Sequence, residues 1–337
     1  MKAMRIHELG GPDGLRLDEL PEPRPGAGEV AVRVRATSLN YRDLMMVRGQ
    51  YNPKLALPIV PLSDGAGEVS AVGQGVTRFK PGDRVASAFM PGWVSGAPNE
   101  AKARSALGGG GAGMLAETVV LPAEGVVAVP DHLSFEEAAT LPCAAVTAWH
   151  ALVVEGQLKA GDTVLVQGTG GVSVFALQFA RLHGARVIAT SSSDEKLQRM
   201  LALGASDGIN YKTTPDWDKA ALKLTGGEGV DHVVEVGGVG TLNKSLRVAK
   251  MGGRVSLIGV LTGGSAEVGI FPVLMKNLRV QGIYVGSVGM FELMNRAIAL
   301  HAMKPVIDRV FPFEEAAEDR DAFLALSLRF YVYLNFL

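Results

Sequence analysis

The sequence predicts an α/β protein in which a doubly wound parallel sheet follows a β-rich segment. Three observations carry that prediction. The stretch Asp162 to His183 reads as a buried strand, a glycine turn and an amphipathic helix in that order. From about residue 130 onward, strand and helix signals alternate, as they do in a parallel sheet with helical crossovers. Residues 1 to about 125 instead carry short alternating runs broken by glycine and proline.

Val30 to Ala36 (VAVRVRA) alternates apolar and charged residues like a half-exposed strand. Val60–Val72, Val76–Val85 and Leu115–Leu121 are further strand-like pieces, and Lys80-Pro81-Gly82-Asp83 is a turn. Met90 to Gly113 reads as loop. Its run Gly108-Gly109-Gly110-Gly111 has the composition of a phosphate loop, but no strand precedes it and no helix follows. Ser134 then caps a helix with Glu136 and Glu137 in its first turn, and a second helix runs from about Ala144 to Glu155.

In the central unit, Thr163–Gln167 is the strand and Gly168-Thr169-Gly170-Gly171 the turn. Val172, Phe175, Ala176, Phe179 and Leu182 give the helix its apolar spacing, and Gly184 stops it. Strand Arg186–Thr190, helix Asp194–Leu203, a strand near Ile209 and helix Trp217–Leu224 follow. After these come strand Asp231–Val236, helix Thr241–Ala249 and strand Arg254–Val260, with Leu278–Tyr284 a candidate sixth strand.

A strand, glycine turn and helix in succession bind a dinucleotide: glycines admit a pyrophosphate, and the helix N-terminus offers free N–H groups to it. Gly168, Gly170 and Gly171 are the candidate cradle. The fingerprint G-x-G-x-x-G is broken only at its last position, where small Ser173 still permits close helix–strand packing. NAD sites carry an acidic residue at the tip of the second strand. Here that tip is Ala189-Thr190-Ser191-Ser192-Ser193, with Asp194 reading as the cap of the next helix. Hydroxyls such as that of Ser191 bond a 2′-phosphate, Lys196 neutralises it, and Tyr211 falls within reach. NADPH is therefore expected over NADH.

The 337 residues are 47% hydrophobic and 20% charged, a core-forming composition long enough for about two domains. A net charge of −1 gives no electrostatic case for nucleic acid or an anionic membrane. No apolar run reaches ~18 residues, so no membrane span is expected. The N-terminus, MKAMRIHELGG, lacks a secretion core, and Cys143 is the only cysteine, so a reducing cytoplasm is the expected compartment. The six histidines are scattered, without an H-E-x-x-H.

Several motifs together resemble one family: LNYRD (Leu39–Asp43), LPIVPLSDGAGEVSAVGQGV (Leu57–Val76), FKPGDRV (Phe79–Val85), AATLPCAAVTAWHAL (Ala138–Leu152), QGTGGVS and DHVVEVGG (Asp231–Gly238). They occur in the order and spacing of the medium-chain dehydrogenase/reductases, and the chain is similar to the zinc-independent branch that includes quinone oxidoreductases. The resemblance runs from Met1 to about Ala317. It implies a GroES-like β-rich catalytic domain over 1–125, a Rossmann domain inserted over 126–268, and a return to the first domain over 269–337. It also implies a homodimer.

Zinc-using relatives place Cys, His and Cys where this chain has Asn40, Ser63 and Cys143, with an acidic residue at Asp64. One thiol and one carboxylate fall short of a catalytic zinc set, so no metal site is expected. Without zinc, reduction of a quinone or an α,β-unsaturated carbonyl is the easier chemistry, because the acceptor oxygen needs only hydrogen-bond donors. By position in relatives, Tyr51 becomes the candidate proton donor or orienter, and Asn40 the residue holding the nicotinamide ribose or acceptor oxygen. Arg42 and Asp43 read as a structural ion pair or helix start. Thr147, Val172, Gly237, Ile258 and Gly259 join the cofactor contacts by the same likeness. The competing readings are an alcohol or aldehyde dehydrogenase of the same superfamily, and an NADPH-binding protein without turnover. After FPFEEA (Phe311–Ala316) the chain departs from the family and ends in an apolar aromatic run. About the last 20 residues are expected to be disordered or to pack differently from relatives.

Overall fold

The computed structural model describes residues 1–313 and the backbone strand at 332–335. Contacts divide the chain into two units: Met1–Val146 with the chain from Gly286 onward, and Thr147–Val285.

In the first unit, β1 (Lys2–Ile6) pairs antiparallel with β2 (Leu15–Glu19). The long strand β3 (Glu29–Ser38) is the hub of the main sheet. It pairs with β4 (Asp64–Val72), β6 (Thr118–Pro122) and β15 (Val332–Asn335), all antiparallel. Val30, Val32 and Val34 are buried while Arg33 is exposed, so the VAVRVRA alternation holds. Register shifts at Ala31/Val32 and Val34/Ala36 mark bulges that bend the strand. Beyond β4 lie β5 (Arg84–Ser87) and β7 (Val126–Ala128). Only Arg84 and Val85 of the expected strand Val76–Val85 are extended within β5. Lys80–Asp83 closes as a turn, with Asp83 accepting from Lys80 N at 2.9 Å.

Helix α1 (Tyr41–Val47) follows β3 and buries Leu44, Met46 and Val47 against Met4, Ile6 and Leu115. The expected loop Met90–Gly113 contains a short helix, α2 (Glu100–Arg104), capped by Asn99 Oδ1 accepting from Lys102 N at 2.9 Å. Helix α3 (Phe135–Ala139) begins with the expected cap: Ser134 and Glu137 form a reciprocal capping box. α3 lies on β3 and β4, which carries the boundary of the first unit to Val146, beyond the expected 125. A helical stretch continues through α4 (Val146–Trp149), flanked by widened turns over Leu141–Ala145 and His150–Val154. The unit resumes with α10 (Val288–Leu300) and β14 (Arg309–Pro312), which pairs parallel with β15. Within the tail expected to be disordered or to pack differently from relatives, Val332–Asn335 form a strand between β3 and β14. The rest of that expectation, 314–331 and 336–337, lies outside the described residues.

The second unit is a six-stranded sheet in the order β10-β9-β8-β11-β12-β13, parallel throughout. Its strands are β8 (Thr163–Gln167), β9 (Arg186–Ser191), β10 (Asp207–Asn210), β11 (Val230–Glu235), β12 (Ala249–Leu257) and β13 (Arg279–Gly282). Crossovers run through α5 (Gly171–Leu182), α6 (Asp194–Ala202), α7 (Trp217–Leu224), α8 (Val239–Val248) and α9 (Phe271–Met275). This order reverses direction between β8 and β11, which makes it the Rossmann arrangement. Val164, Leu165 and Val166 are wholly buried, as a central parallel strand covered on both faces requires. α5 packs Phe175 and Phe179 with ring centroids 5.9 Å apart, and Trp149 meets Phe179 edge-on at 5.4 Å. The candidate sixth strand is β13, which extends the unit to Val285 rather than 268. β13 is an edge strand with all four residues exposed, and Ile270, Phe271, Leu274 and Met275 beside it are exposed as well.

Candidate active site

The cofactor candidates of the second unit gather at the carboxyl ends of its strands, where doubly wound sheets bind ligands. Gly168, directly after β8, has φ +69°, a left-handed conformation that favours glycine. Gly170 is the N-cap of α5, makes no side-chain cap, and has open space where a Cβ would project. Gly171 and Val172 follow as the first residues of α5, and the free N–H groups of a helix start are what receives a pyrophosphate. Ser173 is more than a tolerated stand-in for glycine. Its hydroxyl donates to Gln167 O at 2.6 Å, tying the helix to the strand.

At the tip of β9, Ser191 is buried and Ser193 caps α6, accepting from Lys196 N at 3.4 Å. The cap is therefore Ser193, not Asp194. Asp194 is the first residue of α6 and accepts from Asn210 Nδ2 at 2.8 Å. Tyr211 follows β10, and its N–H donates to Ser191 O at 2.9 Å, so Ser191 and Tyr211 are neighbours. After β12, Ile258 N and Gly259 N both donate to Glu235 O, at 2.9 and 3.3 Å. A Cβ at Gly259 would lie 2.2 Å from Val236 O, so this approach demands glycine. Thr147 is buried in α4, at the start of the second unit.

One group went unnoticed in the sequence. The carboxylate of Glu235, at the end of β11, is wholly buried. Oε1 accepts from Gly237 N at 2.8 Å, Gly238 N at 2.9 Å and Thr241 Oγ1 at 2.6 Å. Oε2 accepts from Gln167 Nε2 at 2.7 Å and from Ser245 Oγ. Gln167 Oε1 in turn accepts from Val236 N and Gly237 N at 3.2 Å each. Five donors on one buried carboxylate satisfy it fully and fix the Gly237 turn to the end of β8. An acidic residue following two buried valines, with a pair of glycines two and three residues on, was the available signal.

In the first unit, Asn40 opens α1, where its backbone N–H donates to Asp43 Oδ2 at 2.8 Å. Tyr51, 43% exposed, lies beyond the far end of α1 in sequence. The Arg42 guanidinium carbon lies 5.4 Å from its ring centroid. Tyr51 is thus linked to α1 through the Arg42 side chain and through its N–H, which donates to Met45 O at 3.2 Å. Arg42 lies in the first turn of α1, as expected, but its side chain reaches away from the helix. It also donates through Nη1 to Leu107 O at 2.8 Å and lies 4.7 Å from the Phe89 centroid.

Ser63, Asp64 and Cys143 form a buried cluster nearby in the chain's first unit. Ser63 Oγ donates to Asp64 Oδ1 at 2.6 Å and Cys143 N to Oδ2 at 2.9 Å. Burial pushes the Asp64 carboxyl up to about 7 against these hydrogen bonds, and the Asp43 charge adds to the rise. Burial likewise pushes Asp43 up to about 6, opposed by Arg42 and the Asn40 N–H. Cys143 keeps some accessible surface, yet burial of its thiol and then the carboxylates of Asp64 and Asp43 drive it well above the ordinary thiol range. One thiol and one hydrogen-bonded carboxyl, with Ser63 a neutral hydroxyl, fall short of the three protein ligands a catalytic zinc centre takes. Among the described residues no group of three or more His, Cys, Asp or Glu stands close enough to hold a metal ion. Nor, among them, is any helix long and apolar enough to cross a membrane.

Two family models match the chain: an alcohol dehydrogenase GroES-like domain over residues 26–131 and a zinc-binding dehydrogenase domain over 171–300. A zinc-type alcohol dehydrogenase-like protein of Schizosaccharomyces pombe is 47% identical over 318 residues, covering 92% of each chain. Human quinone oxidoreductase is 31% identical over 94% of this chain and 92% of its own. The crystal structure of an NAD-dependent alcohol dehydrogenase superposes with a TM-score of 0.91 at 38% identity, covering 100% of both chains. With its GroES-like domain, its parallel Rossmann sheet and these relatives, the chain is an oxidoreductase of the medium-chain dehydrogenase/reductase superfamily.

Proposed function

We propose that the protein is an NADPH-dependent reductase that transfers hydride to a quinone or an α,β-unsaturated carbonyl without zinc. The observation that carries this reading is the Ser63–Asp64–Cys143 cluster: where zinc-using relatives hold a metal, this chain has Asn40 and Ser63 in place of two ligands and keeps one thiol and one hydrogen-bonded carboxyl. A Lewis acid is needed to oxidise an alcohol more than to reduce an electron-poor double bond.

Bound nicotinamide supplies the hydride. The N–H groups of Gly171 and Val172 receive the pyrophosphate beyond the open Gly168 and Gly170. The hydroxyls at the tip of β9, with Lys196 and Tyr211, hold the adenosine 2′-phosphate. Thr147, Gly237, Ile258 and Gly259 line the rest of the cofactor path. Tyr51 orients the acceptor oxygen or gives it a proton as charge develops, and Asn40 steadies the ribose or that oxygen. The single cysteine suits a reducing cytoplasm.

We infer a homodimer as the working form. The exposed edge of β13 and the apolar residues Ile270, Phe271, Leu274 and Met275 form a face that a second copy would cover. Phe271→Glu should then yield a monomer in light scattering.

The relatives named for alcohol dehydrogenase activity favour a second reading, alcohol or aldehyde oxidation. Steady-state rates separate the two. Oxidation of NADPH faster than NADH by quinones and enones, unchanged by a chelator, supports the reductase. Chelator-sensitive alcohol oxidation supports the second reading, and tight NADPH binding with no turnover of any acceptor supports a cofactor-binding protein.

A further inference from the structure

We propose that Arg42 is the positioning residue of the acceptor pocket, holding Tyr51 and the loop through Leu107–Gly109 in one fixed arrangement. The proposal rests on the role given to Tyr51 above.

Arg42 is the second residue of α1. A cation there opposes the positive end of the helix dipole, so local helix energetics do not account for it. Its contacts do. The guanidinium carbon lies within cation–π range of two rings, 5.4 Å from the Tyr51 centroid and 4.7 Å from that of Phe89. Nη1 donates to Leu107 O at 2.8 Å. A Cβ at Gly109 would lie 2.3 Å from Nη2, so the glycine loop leaves room for the guanidinium itself.

A single planar group therefore meets three separate segments: the Tyr51 loop, the bend at Phe89 just beyond β5, and Leu107–Gly109. Arginine has a flat face for the rings and an edge of N–H donors for the carbonyl, which lysine lacks. Gly109 finds its explanation here as well. The Gly108–Gly111 run is not a phosphate loop; at Gly109 it is the socket of an arginine. Tyr51 is largely outside the core, and its ring is held from one side by this cation. Releasing Arg42 frees the ring and the loop together, and with them the alignment of the acceptor.

Arg42→Met and Gly109→Ala test this in the full-length protein from two sides, the second without altering Arg42. The first readout needs no turnover: nitration of Tyr51 by tetranitromethane, followed by peptide mass spectrometry with the other five of the six tyrosines as internal controls. Both variants should speed nitration of Tyr51 selectively. The second readout is kinetic. Acceptor kcat/KM should fall about tenfold to a hundredfold while NADPH affinity stays unchanged, because only alignment is lost. Arg42→Lys should behave as Arg42→Met. Wild-type nitration of Tyr51 in either variant overturns the proposal, as does loss of NADPH affinity in step with acceptor kcat/KM. If the wild-type protein reduces no acceptor, the function proposed above fails, and the nitration rates still decide whether Arg42 holds Tyr51.

Discussion

Replacing Asp64 by asparagine should make the protein less sensitive to rising pH. The Asp64 carboxyl is held at about 7 in the folded chain, against an ordinary value of 3.8. Its folded value is raised, so between these two limits the native state keeps a proton that the unfolded chain has released. Stability must then fall as pH rises through that window and level off above it. The difference is about 3 pH units, which at 1.36 kcal/mol each gives a penalty of at most about 4 kcal/mol by pH 8. Asparagine carries no charge to desolvate and preserves the geometry. Its Oδ1 accepts from Cys143 N and its Nδ2 donates to Ser63 Oγ, a hydroxyl that turns to accept. Melting temperatures of wild type and Asp64→Asn, measured from about pH 4.5 to about pH 8, should therefore diverge in favour of the variant, by up to about 10 °C at the alkaline end. A difference that stays flat across the range, or a variant equally destabilised throughout, would refute the claim that burial keeps this carboxyl protonated.

Three other substitutions bear on the cofactor half. Gly170→Ala meets nothing within the fold, so its melting temperature should stay near wild type while NADPH affinity drops at least about tenfold, as seen by nicotinamide fluorescence. Lys196→Ala should raise KM for NADPH about tenfold and leave that for NADH nearly unchanged; equal effects would remove the 2′-phosphate role. Glu235→Ala strips five donors of their acceptor and should destabilise the protein by about 3–5 kcal/mol, measured by chemical denaturation of the variant against wild type.

The parallel sheet was readable because its signals are local. β8 is a short buried run, Gly168 and Gly170 open the turn, and the α5 face repeats at helical spacing, so each element announced itself within about twelve residues. The first unit was harder. β3 is bulged twice, and its partners β4, β6 and β15 come from distant parts of the chain, which no local pattern reveals. Between Val76 and Val85 the Lys80–Asp83 turn was legible from its Pro-Gly-Asp sequence, but the short reach of β5, which begins only at Arg84, was not. At the candidate site, Gly168, Gly170 and Ser191 were legible from motif and strand tip. Arg42 and Glu235 were not, because their significance lies in partners such as Leu107, Gly109, Thr241 and Ser245. The sequence held one hint for each: a cation in a first helical turn, and a carboxylate at a strand end just before a glycine pair.

The central claim is hydride transfer from NADPH without a metal. Its most direct test uses NADPH deuterated at C4 with an enone acceptor and protein shown to be metal-free by elemental analysis after chelation. Deuterium should appear at the β-carbon of the product, at a rate equal to that of the untreated protein. Loss of transfer on metal removal, restored by zinc, would contradict it.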